Sequence, residues 1–219
     1  MKASELFDLN RTLASRLLSS AEYPWDALDM LGEYINRVGR GLDRALYSEI
    51  RKGIWVAKSA KISSSARLIA PLIVGEGCEV GRLVTLGAGV ILGNGASVGD
   101  GSEIKSSILF DGVRISQSNY ISDSILGYNV SFGMGAIVSI LTPDRRDIIC
   151  VLGEMSVRCE RGKFGAVVGD EATVGASSIL SAGTVVERGA RINPLTRARG
   201  FVSARKAYKG ERIVSDILL

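Results

Sequence analysis

The chain has 219 residues, is 46% hydrophobic and 23% charged, carries a net charge of +4 and contains no histidine. That composition suits a soluble globular chain with core enough for one domain and an appendage, and the missing histidine excludes Cys/His zinc sites and any mechanism that uses a histidine base. No apolar run approaches the roughly 18 residues of a membrane span, and no basic stripe is interleaved with stacking aromatics, so neither a membrane nor a nucleic-acid partner is expected.

The opening residues carry early carboxylates and no apolar stretch, which argues against a secretory signal and gives an expected cytoplasmic location. Leu6, Leu9, Leu13, Leu17 and Leu18 fall at helical spacing, and after Tyr23-Pro24-Trp25 a second amphipathic helix is predicted with Leu28, Leu31, Ile35, Val38, Leu42 and Leu46 on one face. Residues 1–52 are therefore read as a two-helix cap over the open N-terminal end of a repeat domain. The three cysteines, Cys78, Cys150 and Cys159, are odd in number and far apart, as expected of reduced, buried thiols.

From residue 53 a period of six takes over. Val56, Ile62, Leu68, Val74, Val80, Leu86, Leu92, Val98, Ile104 and Phe110 keep one phase, several followed by glycine as in Val74-Gly75 and Leu92-Gly93. The pattern resumes, shifted, at Leu126, Phe132 and Val138, and again at Val168, Val174, Leu180, Val186 and Ile192. An aliphatic residue every sixth position, with small residues between, fits three short strands per coil around a narrow prism whose sharp corners favour glycine. The reading is mainly β: a left-handed parallel β-helix over 53–200, of about six coils, with a C-terminal tail at 201–219. In this setting Gly87-Ala88-Gly89 is a corner and not a dinucleotide fingerprint. The phase slips between Phe110 and Leu126, and a long excursion at 142–162 interrupts the coils. Such insertions leave a solenoid as loops, and loops of this length usually serve a site or a neighbouring subunit.

These hexads resemble the acetyltransferase domain of the bacterial enzyme that acts as glucosamine-1-phosphate acetyltransferase and UDP-N-acetylglucosamine pyrophosphorylase. The resemblance runs over roughly 54–205, and the N-terminal helices are similar to those of short stand-alone relatives. It implies a hexapeptide-repeat transferase, a homotrimer with clefts between subunits, acetyl-CoA as co-substrate and no catalytic metal. On the acceptor side, Glu103-Ile104-Lys105 matches the family's Glu-x-Lys, the lysine being suited to a sugar phosphate. The segment Gln117 to Asp123 resembles its His-x-x-Tyr-x-Gly-Asp motif, retaining Tyr120 and Asp123 with Gln117 in the place of histidine. Ser131 falls where the family has a pocket asparagine, and Lys163 lies in a segment similar to one that carries a sugar-site lysine, whose own position holds Gly165. A phosphate-binding arginine falls on Leu86. On the cofactor side, Ala182-Gly183-Thr184 resembles the turn that meets the pantetheine arm, and Arg199 resembles an arginine that contacts coenzyme A. The nucleotidyltransferase half is not represented in these 219 residues.

Gln117 cannot take a proton from an attacking amine, a role worth about 10² to 10⁴ in rate. Three readings stay open. One is an acyltransferase on an amino-sugar phosphate or sugar nucleotide in which Glu103, Asp123 or Tyr120 serves as base. Another is a binder of sugar nucleotide or coenzyme A that has lost catalysis. The third is a structural trimer related to sugar nucleotidyltransferases.

Overall fold

In the computed structural model, which describes residues 1–210 and 213–216, the hexads wind into a left-handed parallel β-helix. Its three faces are sheets of nine, nine and seven strands. Sheet A opens with β1 (Tyr47–Arg51), antiparallel to β2 (Ile54–Ala57), and continues through Leu72–Val74, Val90–Leu92, Ser107–Leu109, Ile125–Leu126, Ala166–Val168, Thr184–Val186 and Phe201–Val202. Sheet B runs from Lys61–Ile62 to Lys206–Tyr208 and ends on the antiparallel strand Ile213–Asp216; sheet C runs from Arg67–Leu68 to Arg197–Ala198.

Each longer sheet has eight parallel strands besides its one antiparallel strand, and so exceeds the six coils expected from the periodicity. Ile115, Ile121, Ala198, Val202 and Tyr208 also point into the prism, but they lie out of phase or are not aliphatic, so a strict six-residue count passes over them. The slip has a definite origin. Ile104 is followed inside the prism by Leu109, and Ile121 by Leu126, so two rungs are five residues long. Both shortened corners, at Ser106 and Asp123, are in the left-handed region, with φ 45° and 48°. Phe110, expected inside, is turned outward against Phe7, with ring centroids 4.9 Å apart.

Sheet A differs from the other two because both of its faces are buried. Val74, Leu92, Leu109, Leu126, Val168 and Val186 fill the prism, while Ile73, Ile91, Ile108, Ile125, Val167 and Val185 form a second apolar surface outside it. The N-terminal segment and the excursion cover that outer surface. Hence residues 1–52 do not sit on the end of the solenoid but lie along its flank. They are also more broken than two helices: α1 (Ala3–Leu6), a 3₁₀ turn at Leu9–Arg11, α2 (Ser15–Ser20), a 3₁₀ stretch at Pro24–Met30 and α3 (Leu31–Arg40). Tertiary contacts override the helical spacing here. Phe7 is extended and packs on Phe110, and the Asp8 N–H donates to Asp170 Oδ2 at 2.6 Å. Toward the other end of the segment, Gly39 of α3 lies so close to the Trp55 ring that no side chain would fit between them.

The 142–162 excursion is not an irregular loop. It forms an antiparallel hairpin of Ile148–Leu152 and Met155–Cys159 that docks in cis. Ile148, Cys150, Leu152 and Cys159 are buried in the same outer cluster as Trp25 and Val185. All three cysteines are buried, as expected. Cys78 donates to the Gly93 carbonyl at 3.0 Å, and burial pushes its thiol up to about 11. No helix among the described residues is long and apolar enough to cross a membrane.

Candidate functional site

The parallel register of sheet C settles which outward side chains stand together. Glu103 pairs with Thr85 on one side and Tyr120 on the other, and Lys105 pairs with Ser122. Adjacent coils are about 4.8 Å apart, so Glu103, Lys105 and Tyr120 form one half-exposed cluster on an otherwise flat face. Lys105 Nζ is 3.1 Å from Glu103 Oε1 and 4.9 Å from the centre of the Tyr120 ring. Its ammonium is held above the ordinary lysine value, first by the neighbouring Tyr120 and then by Glu103, against partial desolvation. The arrangement offers a fixed cation beside a carboxylate and a phenol. An anionic ligand group could approach the first, and a proton could pass to the second.

Gln117 and Asp123 lie on the two different corners that bound this face. Gln117 is exposed on the B-to-C corner, where it lines an open groove of about 820 Å³ that crosses four coils and includes Ser63, Gly81, Gly99 and Ser116. Asp123, Gly165 and Gly183 stack on the C-to-A corner, joined by Asp123 N–H to Lys105 O, Gly165 N–H to Asp123 O and Gly183 N–H to Gly165 O. Gln117 and Asp123 thus belong to opposite ends of the Tyr120–Ser122 strand and form no dyad. Asp123 is instead occupied: Ser122 Oγ donates to it at 2.6 Å, and Arg161 pairs with it at 3.4 Å while also engaging Asp29. Arg161 therefore ties the exit of the hairpin to both the short corner and the N-terminal segment.

Several sequence expectations change meaning in three dimensions. Leu86 lies inside the prism, so the outward position opposite Glu103 is Thr85. Gly165 is pressed against Ser124 Oγ and the Ser122 carbonyl, which leaves no room for a lysine there. Lys163 is exposed beside the hairpin exit, its carbonyl taking a bond from Arg161 Nε at 3.3 Å. Ser131 is on sheet B, 3.4 Å from Thr173 Oγ1, and so on a different face from Lys105. The Ala182-Gly183-Thr184 corner is covered by the hairpin: a Cβ on Gly183 would come within 2.8 Å of Ile148 Cγ2. Thr184 is fully buried and donates to the Ser181 carbonyl at 2.6 Å. Arg199 is exposed at the same corner one coil on. Arg161 is the participant that the hexad pattern could not supply, because it lies in the excursion. A signal for the covered flank was present, in the consecutive aliphatics that recur about every 18 residues at Ile73-Val74, Ile91-Leu92 and Ile108-Leu109. Among the described residues no group of three or more His, Cys, Asp or Glu side chains converges as a metal site would.

Comparison with a family model falls on the same region. The family model described as the GMPPB C-terminal domain matches residues 68–162, which takes in Glu103, Lys105, Gln117, Tyr120 and Asp123 but stops short of 182–199. The Bifunctional protein GlmU of Methanococcus maripaludis is 38% identical over 74 residues, covering 34% of this chain and 18% of that protein. A Bifunctional sugar-1-phosphate nucleotidylyltransferase/acetyltransferase of Sulfurisphaera tokodaii is 27% identical over 92 residues, covering 42% of this chain and 23% of its own length. The chain thus spans about a fifth of the curated relatives it matches. Among solved structures, a putative acetyltransferase from Bacillus cereus superposes with a TM-score of 0.47 at 16% identity, covering 73% of this chain and 78% of that one. In its coils and corners the chain is a hexapeptide-repeat β-helix, and over the matched stretches it is similar to the GMPPB C-terminal domain and to parts of the bifunctional sugar-1-phosphate enzymes.

Proposed function

We propose that the protein is an acyltransferase of the hexapeptide-repeat type that moves an acetyl group from acetyl-CoA to an amino-sugar phosphate or sugar nucleotide. The observation that carries this reading is the Lys105 ammonium, fixed between Glu103 and Tyr120 on the outer face of sheet C within the stretch of the family match. In the proposed reaction the acceptor amine attacks the thioester carbonyl, the C–S bond breaks, coenzyme A leaves as thiolate, and the amine proton passes to Glu103. Lys105 orients the substrate phosphate, and Gln117, in the place of the usual histidine, supplies a hydrogen bond without taking the proton. Asp123 acts through Arg161 on the placement of the hairpin. The groove beside Gln117 crosses four coils and is open to an extended cofactor arm, and Ala182, Gly183 and Thr184 join Arg199 in reaching coenzyme A only if the hairpin moves aside. Ser131 and Lys163 remain more distant contributors to substrate binding. The assembly we propose is a homotrimer in which a neighbouring copy covers Ile137 and Ile179, which are 44% and 40% exposed on sheet C.

A second reading, a non-catalytic binder of sugar nucleotide or coenzyme A, is favoured by the absence of histidine and by the covered Gly183 corner. Calorimetry with acetyl-CoA, followed by an acetylation assay with amino sugars bearing a phosphate or nucleotide, tests the proposal. Binding at or below about 0.1 mM with turnover that falls at least tenfold in Glu103→Gln is expected. Binding without turnover selects the second reading, and no saturable binding at millimolar acetyl-CoA overturns both cofactor-dependent readings.

A further inference from the structure

The first coil forms the N-terminal end of the solenoid. On sheet A its edge is covered by β1, but Lys61–Ile62 and Arg67–Leu68 begin sheets B and C with no strand beyond them among the described residues. The N-terminal helices would have shielded this end had they capped it, and they lie on the flank instead. Beside the Arg67–Leu68 edge, whose Leu68 carbonyl accepts from Arg51 Nη2 at 3.1 Å, is a cleft of about 560 Å³ floored by Ile54, Leu68 and Ile69, with Arg51, Lys52 and Arg67 on its rim and no carboxylate in its wall. A second cleft on the other side of β1 holds Arg40 and Arg44. The two carboxylates of the region are turned to the backbone, Glu49 accepting from Gly53 N–H at 2.8 Å and Asp43 from Ala45 N–H at 2.7 Å.

Charge narrows the choice of occupant. Residues 37–67 hold eight Lys/Arg against two Asp/Glu, and residues 187–210 hold seven against one, while the rest of the chain holds twelve against twenty. Both ends of the solenoid are therefore positive, and end-to-end stacking of copies is opposed in every orientation. A bilayer would accept the cations but not the unpaired strand edges. Nucleic acid favours exposed aromatic platforms, whereas Tyr47 and Trp55 are buried. An extended polypeptide answers all three features, its backbone meeting the free edge, an apolar side chain entering the cleft and its carboxylates meeting the rim.

We propose that the N-terminal end of the β-helix docks an acidic, extended segment of a partner protein, held by the strand edges of the first coil and by Arg51, Lys52 and Arg67. The test is fluorescence anisotropy of the full chain with a fluorescein-labelled Glu-Val-Glu-Leu-Glu-Val-Glu peptide, its Gln-for-Glu counterpart and a version N-methylated at alternate residues. Saturable binding below about 0.1 mM is expected for the acidic peptide. It should weaken at least tenfold for either control peptide and for Lys52→Glu/Arg67→Glu. Arg51 is spared because its Nη2 bonds the Leu68 carbonyl at 3.1 Å. The thermal midpoint verifies that the double variant folds, and Lys52→Gln, with a threefold or greater loss expected, stands in if it does not. Equal affinity for the acidic and neutral peptides, insensitivity to the substitutions, or no binding at millimolar peptide overturns the proposal. So does co-sedimentation with phosphatidylglycerol vesicles by a protein that ignores the peptide, which would assign this end to a membrane surface.

Discussion

Asp111 and Trp25 show how single residues carry the fold at a cost that can be measured. Asp111 Oδ1 accepts the Asn94 N–H at 2.7 Å, and burial raises the carboxyl above its ordinary range despite that bond and the nearby Arg11. A raised carboxyl binds its proton more readily in the folded state, so its contribution to stability declines as pH rises from the ordinary value of about 3.9 through the folded one. Asp111→Asn keeps the acceptor and removes the desolvated charge. Its urea midpoint relative to wild type is expected to increase between pH 4 and pH 7, a trend that paired denaturation curves would reveal. Trp25 is stacked on Tyr23 at 5.0 Å and tilted against Phe164 at 5.5 Å, yet its Nε1 has no hydrogen-bond partner among the described residues. Trp25→Ala should cost about 3–5 kcal/mol by cavity formation. Trp25→Phe should cost less than about 2 kcal/mol, because it also deletes a buried donor whose isolation costs about 1–3 kcal/mol. Chemical denaturation of the two variants distinguishes the contributions.

At the level of elements, the hairpin at 148–159 and the two five-residue rungs belong together. A shortened corner places Asp123 in left-handed backbone, where its side chain meets Arg161 from the hairpin exit, and the same arginine reaches Asp29 within Pro24–Met30. Three segments distant in sequence thus share one guanidinium that is only 12% exposed. Arg161→Ala removes it from two carboxylates, with an expected loss of about 1–3 kcal/mol. The hairpin should then become more sensitive to protease than in wild type, near Arg145-Arg146. A double-mutant cycle with Asp123→Ala should return a coupling of about 0.5–3 kcal/mol for a direct contact. A value near zero would mean that the hairpin is held by Ile148, Cys150 and Leu152 alone.

For the whole molecule, the decisive feature is that one face of the prism is doubly buried. Ile73, Ile91, Ile108, Ile125, Val167 and Val185 form an apolar surface along sheet A that nothing in a bare β-helix would cover. At about 1.5–3 kcal/mol for each large side chain buried, the N-terminal segment and the hairpin stabilise the solenoid by shielding it, on the order of 10 kcal/mol before the entropy of ordering them. Deleting residues 1–44 should therefore leave the coils insoluble or strongly binding to a hydrophobic dye. A soluble, monodisperse truncated solenoid would show that the flank is stable uncovered. The open faces of sheets B and C carry mainly polar outward residues and lack a second continuous apolar surface, Ile137 and Ile179 on sheet C being the patch that the proposed neighbouring copy covers.

Much of this was legible in the residues alone. A six-residue period with glycine at the corners dictates a prism of short parallel strands, because only inward aliphatics at that spacing can fill so narrow a core. Glu103, Lys105 and Tyr120 were singled out only through the family resemblance, and the phase slip hid from the hexad count that they stand on adjacent coils. What the residues could not convey was anything that depends on two distant segments meeting. Five-residue rungs read as a broken repeat, Phe110 as a core residue and the excursion as a loop, since the partners that redirect them, Phe7, Asp29 and sheet A, are brought near only by folding. Spacing along the chain was enough to specify the coil. Which face is covered, which corner is free, and that Gln117 and Asp123 stand apart were fixed only by the folded packing, because register across coils sets the neighbours of each outward side chain.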